Sequence, residues 1–226
     1  MTRSILALVL FVTVSASAAA QSTALDTVNE PRSGVPFPVS VTPPGEATPH
    51  WLMGTGIRQR TIFRVKIYAF GLYVDPEGAR ASLSRFARLS ASTLERDESF
   101  YRHLLDLNFT MTLRLVMTRT IDGNDVAEAF DDALRPRMTR AVTDTNNSRE
   151  LAVLERFRGY LEVDEVRSGT EIVFSCGPAG RLATSVGGDE RPPIDSRVLC
   201  RALFDVYLGE DPISNDGKRS IIAGFP

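Results

Sequence analysis

The sequence predicts an α+β domain built on an antiparallel sheet, and three observations carry that expectation. Strand-like and helix-like segments come in blocks rather than strict alternation, which favours antiparallel neighbours over repeated crossover units. Runs near 51–62 and 62–74 follow each other directly, as the two arms of a hairpin do. Between Phe109 and Ile121 the side chains alternate, with Met111, Leu113, Leu115 and Met117 on one face and Thr112, Arg114, Val116 and Thr118 on the other.

Taken in order, Val35-Pro36-Phe37-Pro38-Val39-Ser40-Val41 reads as a short edge strand, because each proline removes a ladder donor. Pro43-Pro44-Gly45-Glu46 is a turn, and the hairpin follows. Asp75-Pro76-Glu77-Gly78 opens a loop before helices near 79–88 and 92–106, the second turning Leu94, Phe100, Leu104 and Leu107 inward. After the strand ending near Ile121, a helix capped at Asn124 or Asp125 places Val126, Phe130, Leu134 and Met138 on one stripe. Pro136 is expected to kink or divide it. A helix over 148–161 buries Leu151, Leu154, Phe157 and Leu161. A hairpin over 166–186 turns at Cys176-Gly177-Pro178-Ala179-Gly180, and a last long helix runs from Asp195 to Leu208, ending at Gly209.

The chain opens with Met1-Thr2-Arg3, an apolar run from Ile5 to Val14 and then Ser15-Ala16-Ser17-Ala18-Ala19-Ala20. Those are the three parts of a secretory signal peptide, with cleavage after Ala18 or Ala20. The apolar run is shorter than the roughly 18 residues a membrane span needs. The expected organisation is a signal peptide over 1–20, a flexible segment over 21–34 and one domain over 35–226, exported to a periplasm or secreted. Removing the leader takes away Arg3 and no acid, so the formal charge moves from −2 to −3. That balance speaks against a nucleic-acid partner, and it offers no polybasic patch for anionic lipid. An oxidising compartment would allow Cys176 and Cys200 to bridge. The alternative is two small buried residues that never meet. Asn108-Phe109-Thr110 and Asn146-Asn147-Ser148 fit the glycosylation sequon, which matters only in a eukaryotic secretory pathway.

Much familiar chemistry is absent from the pattern. His50 and His103 stand alone, without cysteine or carboxylate neighbours at metal-ligand spacing, so no metal is expected. Gly54-Thr55-Gly56 lacks the third glycine and the strand–turn–helix setting of a dinucleotide site, so no such cofactor is expected. No phosphate loop, EF-hand or nucleophile elbow is present.

The hairpin is more informative. Gly54, Gly56 and Arg58 alternate onto one face, where two glycines beside a guanidinium would leave a trough for a molecule with an oxyanion at one end and an apolar body. Lys66, Tyr68, Phe70, Leu72 and Val74 share a face, placing a phenol between a cation and an apolar stripe. The plainer reading is an ordinary hairpin whose glycines serve twist or a bulge. Arg60 and Arg64 read as solvated hairpin surface.

Gly54-Thr55-Gly56-Ile57-Arg58, then Lys66-Ile67-Tyr68-Ala69-Phe70-Gly71-Leu72-Tyr73, then Leu203-Phe204-Asp205-Val206-Tyr207-Leu208-Gly209-Glu210-Asp211-Pro212-Ile213-Ser214 resemble, in order and spacing, the chalcone isomerase fold family. That family contains plant chalcone–flavanone isomerases, non-catalytic fatty-acid-binding relatives and bacterial chalcone isomerase-like proteins. The resemblance covers roughly residues 35 to 225. It implies an open-faced β-sandwich, a large antiparallel sheet covered on one face by a layer of helices, with a ligand cleft between. It places Arg58 on the arginine that holds the anionic nucleophile in the isomerases. Tyr68 falls where those enzymes carry a threonine and some fatty-acid-binding relatives carry a tyrosine. Aligned through Arg119 and Gly123, Val126 and Ala133 stand where the enzymes carry tyrosine and asparagine, and Val206, beside Tyr207, replaces a serine or threonine.

A guanidinium and a phenol make a carboxylate clamp, and an interior turned apolar suits an aliphatic tail. The resemblance therefore implies a non-catalytic carrier of a fatty acid or similar amphipathic carboxylate, with Arg58 and Tyr68 at the head group and Val126, Phe130 and Val206 along the tail. The enzyme alternative is an intramolecular lyase or isomerase acting on a phenolic or enone substrate, centred on Arg58. A third class is a structural or interaction protein of the envelope, which bulky groups plugging the Gly54/Gly56 trough would favour.

Overall fold

The computed structural model describes residues 26–60, 65–141 and 147–225. Chain order is β1 (Thr27–Asn29), β2 (Pro36–Pro38), β3 (Ser40–Val41), β4 (His50–Arg60), β5 (Val65–Val74), α1 (Pro76–Ser82), α2 (Ala91–Leu94), α3 (Glu98–Leu105), β6 (Met111–Met117), β7 (Ile121–Asp122), α4 (Gly123–Ala141), α5 (Asn147–Gly159), β8 (Glu165–Val166), β9 (Glu171–Cys176), β10 (Arg181–Val186), β11 (Asp189–Asp195), α6 (Arg197–Leu208) and α7 (Asn215–Ala223). The main sheet has seven antiparallel strands ordered β11-β10-β9-β6-β5-β4-β3. Its central neighbours β6 and β9 are far apart in sequence, and β7, α4, α5 and β8 form the excursion between them.

One face of the sheet is apolar, as the alternation predicts. Opposed residues fall into rows, Gly54–Leu72–Leu113–Phe174 and Gly56–Phe70–Leu115–Ile172, and the helices close over them. Phe174 meets Phe130 of α4 and Phe157 of α5, ring centroids 5.5 Å apart in both cases. Burying such rings contributes about 2–3 kcal/mol each relative to exposure. This is the open-faced α+β sandwich expected above.

Differences from expectation have local causes. The two helices expected over 79–106 are cut into α1, a single 3₁₀ turn at Ser84–Phe86, α2 and α3. Asp75, Ser90 and Asp97 each accept backbone N–H groups, so each starts a new helix. Pro136 does not divide its helix, for α4 runs unbroken from Gly123 to Ala141. The last long helix starts at Arg197, not Asp195, because Ser196 caps it. The hairpin near 166–186 gains a third strand, β11, whose Pro192 and Pro193 are tolerated because β11 is the sheet's edge. The expected flexible stretch 21–34 includes, in its described part, β1 paired with β2. The expected signal peptide lies outside the described residues, and no helix among those described is long and apolar enough to cross a membrane. Cys176 and Cys200 do bridge, with Cα atoms 6.1 Å apart.

The opposite face carries a buried polar row. His50, fully buried, sets Nδ1 2.9 Å from Thr112 Oγ1, which donates to Ser175 Oγ at 2.9 Å. Nε2 meets no hydrogen-bond partner among the described residues. Burial lowers the imidazole's pKa, and Asp75 offsets this only in part. A histidine whose folded pKa lies below its unfolded value leaves stability intact above about pH 6.5 and subtracts from it as pH falls, because the unfolded chain takes the proton first. Unfolding free energy measured from pH 7.5 to 5 is expected to drop with a slope of up to about 1.4 kcal/mol per unit more in the wild type than in His50→Gln. Parallel profiles would contradict this.

Candidate functional site

A cleft of about 780 Å³ opens between the end of β4, β5 and β6 on the helix-covered face and the inner surfaces of α4 and α6. The strand register builds its polar corner. Arg58 lies opposite Tyr68, and Tyr68 opposite Met117, so all three project from one face. A bulge follows at Arg58/Gln59. The helix spacing builds the wall, since Val126, Phe130, Ala133 and Arg137 recur at three or four residues and line the cleft together. Val206 comes from α6, and the fully buried Leu115 and Ile172 form the floor.

All five residues singled out for the ligand, Arg58, Tyr68, Val126, Phe130 and Val206, border this one cavity, and so does Ala133. Arg58 is half-buried and ladder-paired with Tyr68 through its backbone, while its guanidinium makes no hydrogen bond or ion pair with another described residue. Arg60, expected as plain hairpin surface, also lines the cleft, although it is exposed. Arg64 lies outside the described residues. Lys66 does not stand beside the phenol, because its Nζ donates to the Arg32 carbonyl. The cation next to Tyr68 is Arg58, from across the strand pair.

The glycine trough is a different matter. A Cβ on Gly54 would stand 2.5 Å from the Ser220 backbone, and one on Gly56 would stand 2.6 Å from Gly217 Cα. Helix α7, absent from the sequence reading, occupies that space, and Ser220 Oγ accepts the Thr55 N–H at 3.2 Å. The two glycines admit a helix rather than a ligand, so the trough expectation is corrected: the chain itself fills it, which at this point of the sheet is the outcome that favours the structural or interaction reading. The cleft begins one step along the strand, at Arg58, and remains open. Gly54→Ala is expected to lower unfolding free energy by about 1–3 kcal/mol, as overpacking against immovable backbone does. Chemical denaturation reads this, and an unchanged midpoint would mean that α7 is not held there.

Two neighbours of the site escaped sequence reasoning. Tyr207 places its hydroxyl 3.0 Å from that of Tyr68 and is almost fully buried, with its ring edge-on to Phe70 at 4.9 Å. Its only signal was adjacency to Val206. Arg137 donates to Asp205 Oδ2, to the Ala133 carbonyl and to the Asp211 carbonyl, at 2.8, 2.8 and 2.7 Å. Its signal was its place one turn beyond Ala133. Burial raises the pKa of Tyr68, against smaller opposing effects of the Tyr207 bond and Arg58. Burial also holds Tyr207 well above the ordinary tyrosine value. Both phenols are therefore donors at neutral pH. The rim carries Asp122, Asp125, Asp132 and Asp211 as well.

A smaller cleft of about 490 Å³ lies beyond Arg137, walled mostly by charged side chains of α3, α4, α6 and α7. Its apolar surface is limited to residues such as Tyr101, Leu105 and Ala202, so it lacks the long apolar floor of the first. Among the described residues no group of three or more histidines, cysteines or acids is placed to hold a metal ion.

Comparison with known proteins agrees with this geometry. Residues 48–222 match the family model described as chalcone isomerase like. Fatty-acid-binding protein 2 of Arabidopsis thaliana is 33% identical over 199 residues, covering 85% of this chain and 49% of that protein. The chain thus spans about half the length of that relative, and it spans 70% of Arabidopsis thaliana fatty-acid-binding protein 1, at 25% identity. Chalcone–flavanone isomerase 1B-1 of Glycine max is 27% identical over 197 residues, covering 84% of this chain and 86% of the enzyme. The crystal structure of an Arabidopsis thaliana fatty-acid binding protein superposes with a TM-score of 0.74 over 88% of this chain and 96% of that one, at 24% identity. The matched stretch takes in β4 and all but the last residue of α7, and with them six of the seven sheet strands, the helix layer and the cleft: the chain belongs to the chalcone isomerase-like family.

Proposed function

We propose that this protein binds a fatty acid or a similar amphipathic carboxylate in the cleft between sheet and helices, without catalysing cyclisation, and that it does so after export. Arg58 and Tyr68 hold the head group, and Val126, Phe130 and Val206 flank the tail. The observation that carries this reading is that Val126, Ala133 and Val206, all apolar, line the same cavity as the half-buried Arg58. A carboxylate takes a forked ionic donor and a phenol, each bond strengthened by the charge. Each methylene taken from water adds about 0.8 kcal/mol, so the tail supplies more affinity than the clamp. The cavity's size is ordinary for a small-molecule site. Relatives named as fatty-acid-binding proteins support the same ligand class.

Export rests on the leader-like first twenty residues, and the Cys176–Cys200 bridge is in keeping with an oxidising compartment. The enzyme reading keeps Arg58 as an electrostatic centre but loses the three polar groups that its relatives would place around the substrate.

The test is mass spectrometry of the protein purified from a secreting host, native and after solvent extraction, beside Arg58→Ala prepared identically. A co-purifying acid lost from the variant is the expected result, on a chain that begins at Ala19 or Gln21. An empty wild type that cyclises a phenolic enone would sink the carrier reading. A wild type that is empty and inert would favour a scaffold instead.

A further inference from the structure

We propose that Tyr207 is a positioning residue for the head-group site: its hydroxyl donates to Tyr68 and thereby commits the Tyr68 proton to an anionic, acceptor-only ligand. This rests on the carboxylate reading above and adds to it a residue that does not line the cleft.

Among the described residues the hydroxyls of Tyr68 and Tyr207 have only each other as hydrogen-bond partners, at 3.0 Å. Tyr68 borders the cleft, whereas Tyr207 stands behind it, 1% exposed and packed against Phe70. Each phenol has one proton to donate, and an oxygen that accepts. In the empty site either order is allowed. An ionised carboxylate removes that freedom, because it can only accept. The Tyr68 proton must then point into the cleft, and the Tyr68 oxygen is left to accept from Tyr207. The chain runs Tyr207 to Tyr68 to ligand in one direction, each bond polarising the next. Burial keeps both groups protonated at neutral pH, so both donors are available. Arg58, opposite Tyr68, supplies the charge that the anion meets.

A fatty alcohol makes no such demand. Its hydroxyl donates as well as accepts, so the pair can run in either direction. The two head groups therefore respond differently to the loss of one hydroxyl. In Tyr207→Phe the shape is kept, but the Tyr68 oxygen loses its donor.

The test is calorimetric titration of decanoate and 1-decanol into the wild type, Tyr207→Phe, Tyr68→Phe and the double variant, with unfolding midpoints recorded alongside. Decanoate binding is expected to weaken about three- to tenfold in Tyr207→Phe, as the loss of one buried hydrogen bond does. Decanol should change by less than about twofold, and the Tyr207 effect should vanish once Tyr68 is phenylalanine. Equal losses for both probes would assign Tyr207 a packing role only and overturn the proposal, as would an undiminished effect without the Tyr68 hydroxyl. A wild type that binds neither probe would remove the carboxylate reading together with this one. Binding of decanoate with an unchanged acid-to-alcohol ratio in Tyr207→Phe would remove this one alone.

Discussion

Reducing the Cys176–Cys200 bridge is expected to lower the free energy of unfolding by about 3 kcal/mol, the chain-entropy value for a closed loop of 24 residues. The bridge ties the end of β9 to the first turn of α6, and the chain between them comprises β10, β11 and the Ser196 cap. Both cysteines are buried, so the crosslink adds to packing that already exists. Denaturant titration with and without a phosphine reductant reads the difference, and Cys176→Ala/Cys200→Ala separates the crosslink from the reagent. An unchanged midpoint would mean that the unfolded chain gains no freedom from the cut.

The same experiment should leave the cleft largely alone. Ile172 enters the cleft four residues before Cys176, and Val206 six residues after Cys200. At strand and helix rises these are separations of about 13 and 9 Å, so the bridge holds the far ends of the two elements. Decanoate affinity of the reduced, still folded protein is expected to match that of the oxidised form. The pairing of stability lost with binding kept would identify the disulfide as a device of stability rather than of recognition.

What was legible in the chain follows from how strongly each segment's environment repeats. β6 is legible because its helix-covered face is wholly apolar while Thr112 and Arg114 fall on the other, and the second half of β5 continues the same apolar rows, so Phe70, Leu72, Leu113 and Leu115 announce both strand and face. The α4 stripe and the inward residues of α6 are legible for the same reason. Where a single residue decides, the pattern misleads. Three capping side chains cut the 76–105 region more finely than periodicity suggests. Edge position, set by how the strands assemble, rescues Pro192 and Pro193 as strand residues. Gly54 and Gly56 signal close approach, but a sequence does not say whether a ligand or a helix approaches. The pairing of Tyr68 with Tyr207 spans 139 residues and rests on one hydroxyl contact, so nothing short of the fold joins them.

Arg58→Gln is expected to weaken carboxylate binding by about ten- to a hundredfold, the worth of a charge-assisted hydrogen bond in a partly shielded site. Glutamine keeps a polar donor on a shorter stem but not the charge, so the loss measures charge, fork and reach together. Decanol affinity should change much less, because a neutral head group does not use the charge. Arg60→Gln provides the control. Arg60 lines the same cleft from an exposed position, where solvent screens it, and its loss is expected to cost less than about threefold. Raising salt should narrow the Arg60 effect further and leave most of the Arg58 effect, since partly buried charges are screened less. If the two substitutions proved equal, the head group would sit at the rim, and the Arg58–Tyr68 corner would not be its seat. If Arg58→Gln left decanoate binding intact, the cleft would be reading the tail alone. The apolar replacements at Val126, Ala133 and Val206 would then be the whole of its specificity.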